Sequence, residues 1–486
     1  MTTDAAHNSV REKAFSQAFF IFGERLTFLV PQAITILLIT RFLGSEFFGK
    51  YAIVLTWITV FQLIANFGIT ECLTRELASA PELQTRFLSH GLLFSLLLSI
   101  IAMTVMGGAA LALHYPGDIT QALLLATVTL LPSNIVATCR SALLACRKIE
   151  YMMAVAILEA LILLPLNVYW ILTEAGLFRI IGTIVLARIV AGVAIVGLVH
   201  KYVIPITCAP QRLDHRKLWR TLFPFGVASL VTFPSLRFDV FLLSEMSTWE
   251  TVGLYTAASK VMEILLVLPG AFYIVMLPRA TRDLTVMNEQ NTDSLQQAIR
   301  WYLAITIPLG LGVIIFAKQV LVLIYGAPFA ESTLVLQIQM ITFLLIAIDA
   351  PFALICKATG FQRIDMVFVT LSAGINLTLN VLLIPSLAAV GAGTAVALSI
   401  LVQLILHWWF IRRSPVQFNW LIAIGLPLVI SLLLVAIGTL LASRIPWVIL
   451  AICYALAYCA IIVSLFKMSP LVHQAPIRII KRDQSS

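Results

Sequence analysis

The chain has 486 residues, of which 60% are hydrophobic and 11% are charged. Soluble globular domains have about 45–50% apolar and about 25% charged residues, so a single soluble core cannot bury this excess of apolar side chains. The net charge of +9 does not indicate a nucleic-acid-binding protein, because the cations are spread over many short segments and no basic helix is interleaved with aromatic residues. The composition therefore predicts a protein that lies within a lipid bilayer.

Continuous apolar segments of about 20 residues, the length that a membrane-spanning helix needs, follow one another along the chain. In a bilayer the backbone must form its hydrogen bonds within the protein, which leaves helices or closed barrels. Barrel strands alternate apolar and polar residues, and these segments do not. We therefore predict an all-α membrane protein with about 14 transmembrane helices. The predicted spans are 14–40, 47–68, 87–113, 119–145, 151–173, 178–200, 218–244, 251–277, 299–317, 332–356, 364–387, 390–411, 418–441 and 446–466.

The distribution of basic residues predicts which side of the membrane each loop faces. With the N-terminus in the cytoplasm, about 23 of the 32 Lys and Arg residues fall in cytoplasmic loops, tails or helix ends, and about five in outer loops. One missed or extra span would invert every later loop and remove this asymmetry. We therefore expect a multi-pass protein of the plasma membrane, the inner membrane in a bacterium, with both termini in the cytoplasm.

Two segments share the pattern Glu-x-x-Gly-x-Tyr, one from Glu46 to Tyr51 and the other from Glu250 to Tyr255. Each opens the second helix of a predicted six-helix half, which indicates two halves related by a pseudo-two-fold axis along the membrane normal. Glycine and tyrosine are also common at helix starts near the membrane surface, which is the alternative explanation. The predicted organisation is an N-terminal six-helix lobe over 1–206, a C-terminal six-helix lobe over 207–412, and two additional helices with a basic tail over 413–486.

The predicted outer hairpin from Arg41 to Ala52 resembles that of the polysaccharide flippase branch of the multidrug/oligosaccharidyl-lipid/polysaccharide exporter superfamily, which includes O-antigen flippases. Phe67-Gly-Ile and the following Thr74-Arg-Glu-Leu-Ala resemble the end of the second helix in that family, and 252–258 resembles the start of the eighth. The plan of six, six and two helices also fits. The resemblance therefore extends over nearly the whole chain.

The resemblance implies that the two lobes enclose a water-filled cavity. By alternating access, a polyprenyl-diphosphate-linked oligosaccharide would move from the cytoplasmic to the outer leaflet, for O-antigen, exopolysaccharide or other cell-surface polysaccharide biosynthesis. The implied partners are the lipid-linked oligosaccharide, the bilayer, a polysaccharide polymerase and a chain-length regulator, with no nucleic acid. Relatives in the superfamily export cationic drugs, so an ion-coupled drug or cation antiporter is the alternative.

Charged residues inside the predicted spans are the candidate functional residues. A charge at mid-bilayer costs roughly 2.5–3.5 kcal/mol, so it usually faces a cavity or a partner. Cations can replace the water around a lipid diphosphate, and arginine offers paired donors to phosphate. The candidates for substrate binding in the central cavity are Arg25, Arg188, Arg237 and Lys260. The candidates for ion or proton coupling are Glu24, Glu159 and Asp349.

Several of these charges also have a structural interpretation. Lys260 and Glu263 lie three residues apart on one helix face and can form an ion pair. Asp239 lies at a similar depth on the neighbouring helix and can instead form an ion pair with Lys260 between the helices. Arg237 lies only about seven residues from its helix end and can extend to the membrane surface. Glu159 differs, because its own span contains no embedded cation. Embedded cations and acids are balanced, so their numbers alone do not select an anionic substrate.

The sequence contains no motif of a membrane-bound enzyme. Gly-x-x-x-x-Gly-Lys-Ser/Thr, His-Glu-x-x-His and Gly-x-Ser-x-Gly are all absent, and no loop is long enough for the catalytic part of a glycan polymerase or glycosyltransferase. The histidines lack metal-ligand spacing, and His407, followed by Trp408 and Trp409, is typical of an anchor at the membrane interface. We therefore expect a transporter that needs no cofactor or metal, not an enzyme.

Overall fold

The computed structural model describes residues 20, 23–79, 84–205, 223, 226, 238–286, 289–413, 424–441 and 446–468. This described part is almost entirely helical and contains no β-strand. Nine of its helical segments are long and apolar enough to cross a membrane. The prediction of an all-α, multi-pass membrane protein is therefore confirmed.

The chain divides into two compact units, Met1–Arg237 and Phe238–Ser486. The boundary predicted between residues 206 and 207 lies outside the described residues. The first unit contains α1 (23–38), α2 (Gly44–Asn66), α3 (Ile69–Ser79), α4 (Gln84–Ala112), α5 (Gly117–Thr127), α6 (Leu130–Ala145), α7 (Ile149–Leu172) and α8 (Leu177–Tyr202).

The first candidate span, Gly23–Asn66, contains two predicted membrane crossings. A π-helical turn, Ile39–Leu43, follows α1, and Gly44 then takes φ +80° and ψ −175°. Glycine adopts this positive φ without the steric penalty of a side chain. The helical backbone is therefore interrupted at Gly44, the residue at which α2 starts. The break explains how a single apolar segment can hold the two spans predicted on either side of residues 41–46.

Helix α6 is the centre of the first unit, where it packs against α3, α4 and α8. Its buried Asn134 donates from Nδ2 to the carbonyl oxygen of Ala65 at 2.7 Å and to Oγ of Ser99 at 3.0 Å. Gln62 donates in turn to Oδ1 of Asn134 at 3.3 Å. These bonds join α2, α4 and α6, because a polar side chain in an apolar bundle is stable only when neighbouring helices satisfy it.

The second unit begins with α9, which is the described end of the predicted span 218–244. Its helices are α9 (Phe238–Met246), α10 (Trp249–Leu265), α11 (Val267–Val286), α12 (Glu289–Ile315), α13 (Ala317–Tyr325), α14 (Thr333–Ala358), α15 (Gln362–Ile411), α16 (Leu426–Leu441) and α17 (Trp447–Met468). A 3₁₀ turn, Ala327–Ser332, connects α13 to α14. Helices α16 and α17 correspond to the two additional C-terminal spans of the prediction.

Helix α15 also contains two predicted crossings. Ala388 interrupts its 50 residues with φ 47° and ψ −125°, which is not a helical conformation. The two arms, 362–387 and 389–411, lie side by side, since Oγ of Ser372 donates to the carbonyl oxygen of Ser399 at 2.8 Å. The break lies between the predicted spans 364–387 and 390–411, so the helical order of the prediction holds here as well.

The two Glu-x-x-Gly-x-Tyr segments occupy the same place in their respective units. One begins α2 and the other begins α10, and Tyr51 and Tyr255 are both fully buried. A large aromatic side chain near the start of each helix therefore packs into the interior of its own unit. The duplication of the two halves, with its pseudo-two-fold axis, stays a prediction.

We predict that Gly391→Ala destabilises the second unit. A Cβ atom at Gly391 would lie 2.4 Å from the carbonyl oxygen of Leu383, so the backbone on one side of the Ala388 break would have to move. Overpacking of this kind typically costs about 1–3 kcal/mol. The purified variant in detergent should therefore unfold at a lower temperature than the unaltered protein.

Gly374→Ala is the matched control, because it lies on the same helix and a Cβ atom there meets nothing within 4 Å. Its melting temperature should be equal to or slightly above that of the unaltered protein, since alanine favours helix more than glycine does. Equal melting temperatures for the two variants would contradict the close backbone approach at Gly391.

Candidate functional site

Three arginines of the first unit lie around a single turn of α1. Arg25 belongs to that turn, and Arg140 on α6 donates from Nη2 to Oε2 of Glu24 at 2.7 Å. The guanidinium carbon of Arg188 on α8 lies 5.3 Å from the ring centroid of Phe28. Since residues four apart on a helix share one face, Glu24 and Phe28 bring Arg140 and Arg188 to the same side of α1. We call Arg25, Arg140 and Arg188 the arginine cluster.

Two buried carboxylates orient two members of the arginine cluster. Glu24 is buried on α1 and accepts the bond from Arg140, while Glu159 is buried on α7 and accepts from Arg188. Nε of Arg188 lies 3.2 Å from Oε1 of Glu159, and Nη1 lies 3.4 Å from Oε2. A buried carboxylate without its cation is strongly unfavourable, so each glutamate holds its arginine in place.

The arginine cluster has one more positive charge than its two carboxylates neutralise. Within the described part of the chain, Arg25 is exposed and forms no ion pair. The side chains of Arg140 and Arg188 are 43% and 22% exposed, respectively, in spite of their ion pairs. All three guanidinium groups therefore retain donors that face away from the glutamates, and the cluster can accept an anion.

The structure gives Glu24, Glu159 and Arg188 partners that the sequence did not reveal. Glu159 is an ion-coupling candidate whose own span contains no cation, but the cation comes from the next helix, as Arg188. Glu24 pairs with Arg140, 116 residues away, although Arg25 is its neighbour in sequence. Sequence reasoning missed Arg140 because it lies near the end of the predicted span 119–145, where a basic residue needs no buried partner.

Lys260, the described substrate-binding candidate of the second unit, lies on α10. Nζ of Lys260 lies 2.8 Å from Oε2 of Glu263, so the pair expected from their spacing forms, and the Lys260 side chain is 20% exposed. Asp239 on α9 accepts a hydrogen bond from the hydroxyl group of Tyr255. Arg237 lies outside the described residues.

Asp349 belongs to a buried network in the second unit that centres on His407. Asp349 Oδ1 lies 2.8 Å from Nδ1 of His407, and Asp349 Oδ2 accepts from Nε2 of Gln403 at 2.7 Å. Nε2 of His407 faces Oδ1 of Asp365 at 3.4 Å, and Nζ of Lys357 lies 3.2 Å from Oδ2 of Asp365. These five residues, which we call the histidine network, join α14 to both arms of α15.

The interpretation of His407 as an interface anchor is wrong. Its side chain is 0% exposed, whereas Trp408 and Trp409 are exposed and carry Arg412 and Arg413 over their rings. The helical phase explains the difference, because successive residues of a helix point about 100° apart. Only the tryptophans of the His-Trp-Trp sequence therefore have the surroundings of an anchor.

The described residues contain no group of three or more His, Cys, Asp and Glu side chains that could hold a metal ion. Ion pairs and hydrogen bonds account for the carboxylates of the arginine cluster and the histidine network. Both sites are thus arrangements of charged side chains within apolar helices, suited to binding ions or anionic groups.

Solved structures with this fold are polytopic membrane transporters. The chain superposes on "Lipid II flippase MurJ, inward closed conformation" with a TM-score of 0.76 and 13% identity, over 92% of this chain and 98% of that one. An inward-facing multidrug resistance MATE family transporter of the MOP superfamily matches with a TM-score of 0.65 and 15% identity, over 79% of this chain and 93% of that one. At these identities the likeness defines the fold alone, which is that of the transporters.

Residues 19–283 match the family described as "Polysaccharide biosynthesis protein", and the chain belongs to this family. A curated relative is the "Probable low-salt glycan biosynthesis flippase Agl15" of Haloferax volcanii, which is 26% identical over 193 residues. That match spans 39% of this chain and only 41% of the relative. These relatives are named as flippases or transporters, in agreement with the absence of enzyme motifs in the sequence.

We predict that Arg188→Leu destabilises the first unit, because it leaves Glu159 buried without its cation. Breaking a buried ion pair costs roughly 3–5 kcal/mol, whereas replacing both partners by apolar residues is often neutral. Adding Glu159→Leu should therefore restore most of the lost stability. Thermal unfolding in detergent of the two single variants and the double variant gives the coupling between the two positions.

Arg179→Leu is the matched control on the same helix. The guanidinium carbon of Arg179 lies 5.2 Å from the ring centroid of Trp170, and no ion pair with a carboxylate forms there within the described residues. This substitution should change the melting temperature little, with or without Glu159→Leu. Strictly additive effects of Arg188→Leu and Glu159→Leu would contradict the ion pair.

Proposed function

We propose that the protein is a flippase that moves a polyprenyl-diphosphate-linked oligosaccharide from the cytoplasmic to the outer leaflet by alternating access. Its membership of the polysaccharide biosynthesis family supports the substrate class, and the name of its haloarchaeal relative supports the activity. The observation that carries the proposal is the arginine cluster, in which three cations outnumber two carboxylates. This site favours an anionic head group such as a diphosphate.

The chemistry of guanidinium allows the arginine cluster to bind phosphate without losing its glutamates. A guanidinium has five N–H donors in a fixed plane, and Arg188 uses only Nε and Nη1 towards Glu159. Its other edge remains available for a phosphate oxygen. Arg140 in the same way uses Nη2 towards Glu24. Both side chains are therefore held in orientation before the substrate arrives, which lowers the entropic cost of binding.

The two carboxylates also limit how tightly the diphosphate is held. Glu24 and Glu159 occupy part of the donors of their arginines, and their negative charge opposes that of the substrate. A transporter must release its substrate on the second side, so very tight binding would stop the cycle. We infer that Arg25, which forms no ion pair among the described residues, makes the strongest single contact with the diphosphate.

The alternative of a drug or cation antiporter fits the fold, as the multidrug transporter structures illustrate. A cation site needs carboxylates that are free of competing cations, whereas Glu24 and Glu159 are each paired with an arginine. The excess positive charge of the arginine cluster would repel a cationic drug. We therefore favour the anionic lipid-linked substrate.

The proposal includes a cellular setting, which the sequence supports. The asymmetry of basic residues supports a location in the plasma membrane, the inner membrane of a bacterium, with both termini in the cytoplasm. The flipped units would serve O-antigen, exopolysaccharide or a similar surface polysaccharide, alongside a polymerase and a chain-length regulator. We propose Arg237 and Lys260 as additional contacts for the substrate in the second lobe.

We predict that Arg25→Ala lowers the rate of flipping strongly. The assay uses the full-length protein in vesicles that contain a fluorescent polyprenyl-diphosphate oligosaccharide, and it follows quenching of the label from one leaflet. A charge-assisted hydrogen bond contributes about 1.5–3 kcal/mol, so we expect a loss of roughly 10- to 100-fold. Arg25→Lys should be intermediate, because lysine keeps the charge but lacks the paired donors.

Arg179→Ala is the control for this assay, since Arg179 is an exposed arginine of the same unit that lies outside the arginine cluster. It should flip at the rate of the unaltered protein. A rate for Arg25→Ala equal to that of Arg179→Ala would remove the arginine cluster from the mechanism. If the unaltered protein moves cationic dyes and no lipid-linked oligosaccharide, the antiporter alternative is correct.

A further inference from the structure

With both aspartates ionised and Lys357 protonated, the histidine network is charge-balanced when His407 carries two protons. Asp349 and Asp365 contribute two negative charges, and Lys357 contributes one positive charge. Both ring nitrogens of His407 face carboxylate oxygens, and an oxygen of a carboxylate can only accept. Hydrogen on both nitrogens suits two ionised carboxylates, and it makes the side chain an imidazolium with the second positive charge.

The two sides of the imidazolium ring are not equally well bonded. Nδ1 lies 2.8 Å from Asp349, within normal hydrogen-bond distance. Nε2 lies 3.4 Å from Oδ1 of Asp365, and neither of these two buried atoms has a well-aligned hydrogen bond among the described residues. The proton on Nε2 is consequently the one that can leave.

A short route for this proton leads to the exposed end of the histidine network. Nε2–H of the imidazolium gives its proton to Oδ1 of Asp365, which leaves a neutral imidazole and a neutral carboxylic acid. The acid then releases the proton to water next to Lys357, whose side chain is 34% exposed. The formal charge of the network falls from zero to minus one, and no other reactant is needed.

Loss of this proton changes the stability of the helix arrangement around His407. A buried network with one uncompensated negative charge is costly in an apolar environment, so the deprotonated form favours an arrangement that admits water. The Ala388 break divides the arms of α15, and Pro351, a residue type that permits a helix to bend, lies within α14 between Asp349 and Lys357. Proton binding and helix arrangement are therefore linked.

The ionisable neighbours of the histidine network are two tyrosines, a cysteine and an arginine. The ring centroid of Tyr273 on α11 lies 4.9 Å from Nζ of Lys357. Tyr302 of α12 and Cys356 of α14 lie near the carboxylates of the network. Tyrosine and cysteine are ordinarily neutral at neutral pH. Arg300 of α12 donates to Gln296 on its own helix. Among these neighbours, the histidine alone ordinarily changes charge in the physiological range.

We propose that His407 binds and releases the coupling proton of transport, and that it does so through Asp365. The inference rests on the proposed flippase function and assigns the ion coupling of that function to the second unit. It replaces Asp349 as the proton carrier, because Asp349 is already bonded to both Gln403 and His407. Asp349 acts instead as the fixed anchor that holds the imidazolium.

The test measures flipping by the full-length protein in vesicles with and without an imposed pH gradient. We expect the gradient to raise the initial rate of the unaltered protein several-fold. His407→Gln alone leaves a negative charge in the network and can unfold the protein, so the decisive variant is His407→Gln with Asp349→Asn, which restores charge balance. This double variant should flip without responding to the gradient.

His200→Gln is the matched control, because His200 is an exposed histidine at the end of α8, and it should keep the full gradient response. A second measurement does not depend on transport: the number of protons exchanged when the substrate binds to detergent-solubilised protein, from calorimetry in buffers of different ionisation enthalpy. The double variant should exchange fewer protons than the unaltered protein and the His200→Gln control.

Three results would overturn the inference. If the double variant keeps the gradient response, or exchanges as many protons as the unaltered protein, His407 is not the site. If the unaltered protein flips its substrate but ignores the gradient, proton coupling fails while the flippase function stands. If the unaltered protein flips no lipid-linked oligosaccharide, the proposed function fails and the inference falls with it.

Discussion

The structure depends on one constraint: a charge inside an apolar helix bundle must meet its counter-charge on another helix. Glu24 and Arg140 lie on α1 and α6, and Glu159 and Arg188 lie on α7 and α8. Each pair fixes the rotation and depth of two helices relative to one another, because a misplaced partner would leave a buried charge unpaired. The pairs therefore act as both structural constraints and candidate functional groups.

The sequence predicted the helices well because the bilayer imposes a simple rule on length and polarity. Two breaks were placed correctly, near Gly44 and near Ala388, since polar and small residues interrupt the apolar segments at these points. The sequence does not identify the partners of embedded charges as directly as it identifies the helices. Arg140 and Glu24 are 116 residues apart, and their contact depends on the packing of α6 against its neighbours, which hydropathy does not describe.

His407 is a second residue whose partners the sequence does not reveal, because its sequence context suggests a different environment from the one the structure shows. Its position before two tryptophans and two arginines is typical of the membrane interface, and the aromatic residues do have cations over their rings. The histidine points the other way, where Asp349 and Asp365 approach it from α14 and from the first arm of α15. An embedded Asp349 in the sequence indicates that some partner must exist, but it does not identify a histidine 58 residues later.

The two charged sites differ in a way that suits different tasks. The arginine cluster has an excess of positive charge and donors that remain exposed, which a passing anion can use and then leave. The histidine network is balanced and largely buried, and its histidine lies between two carboxylates. Binding an anion changes the first site without requiring a proton, and losing a proton changes the second without requiring an anion. Transport coupled to a gradient needs both kinds of site, since the driving ion and the substrate must each favour one arrangement of the helices over the other.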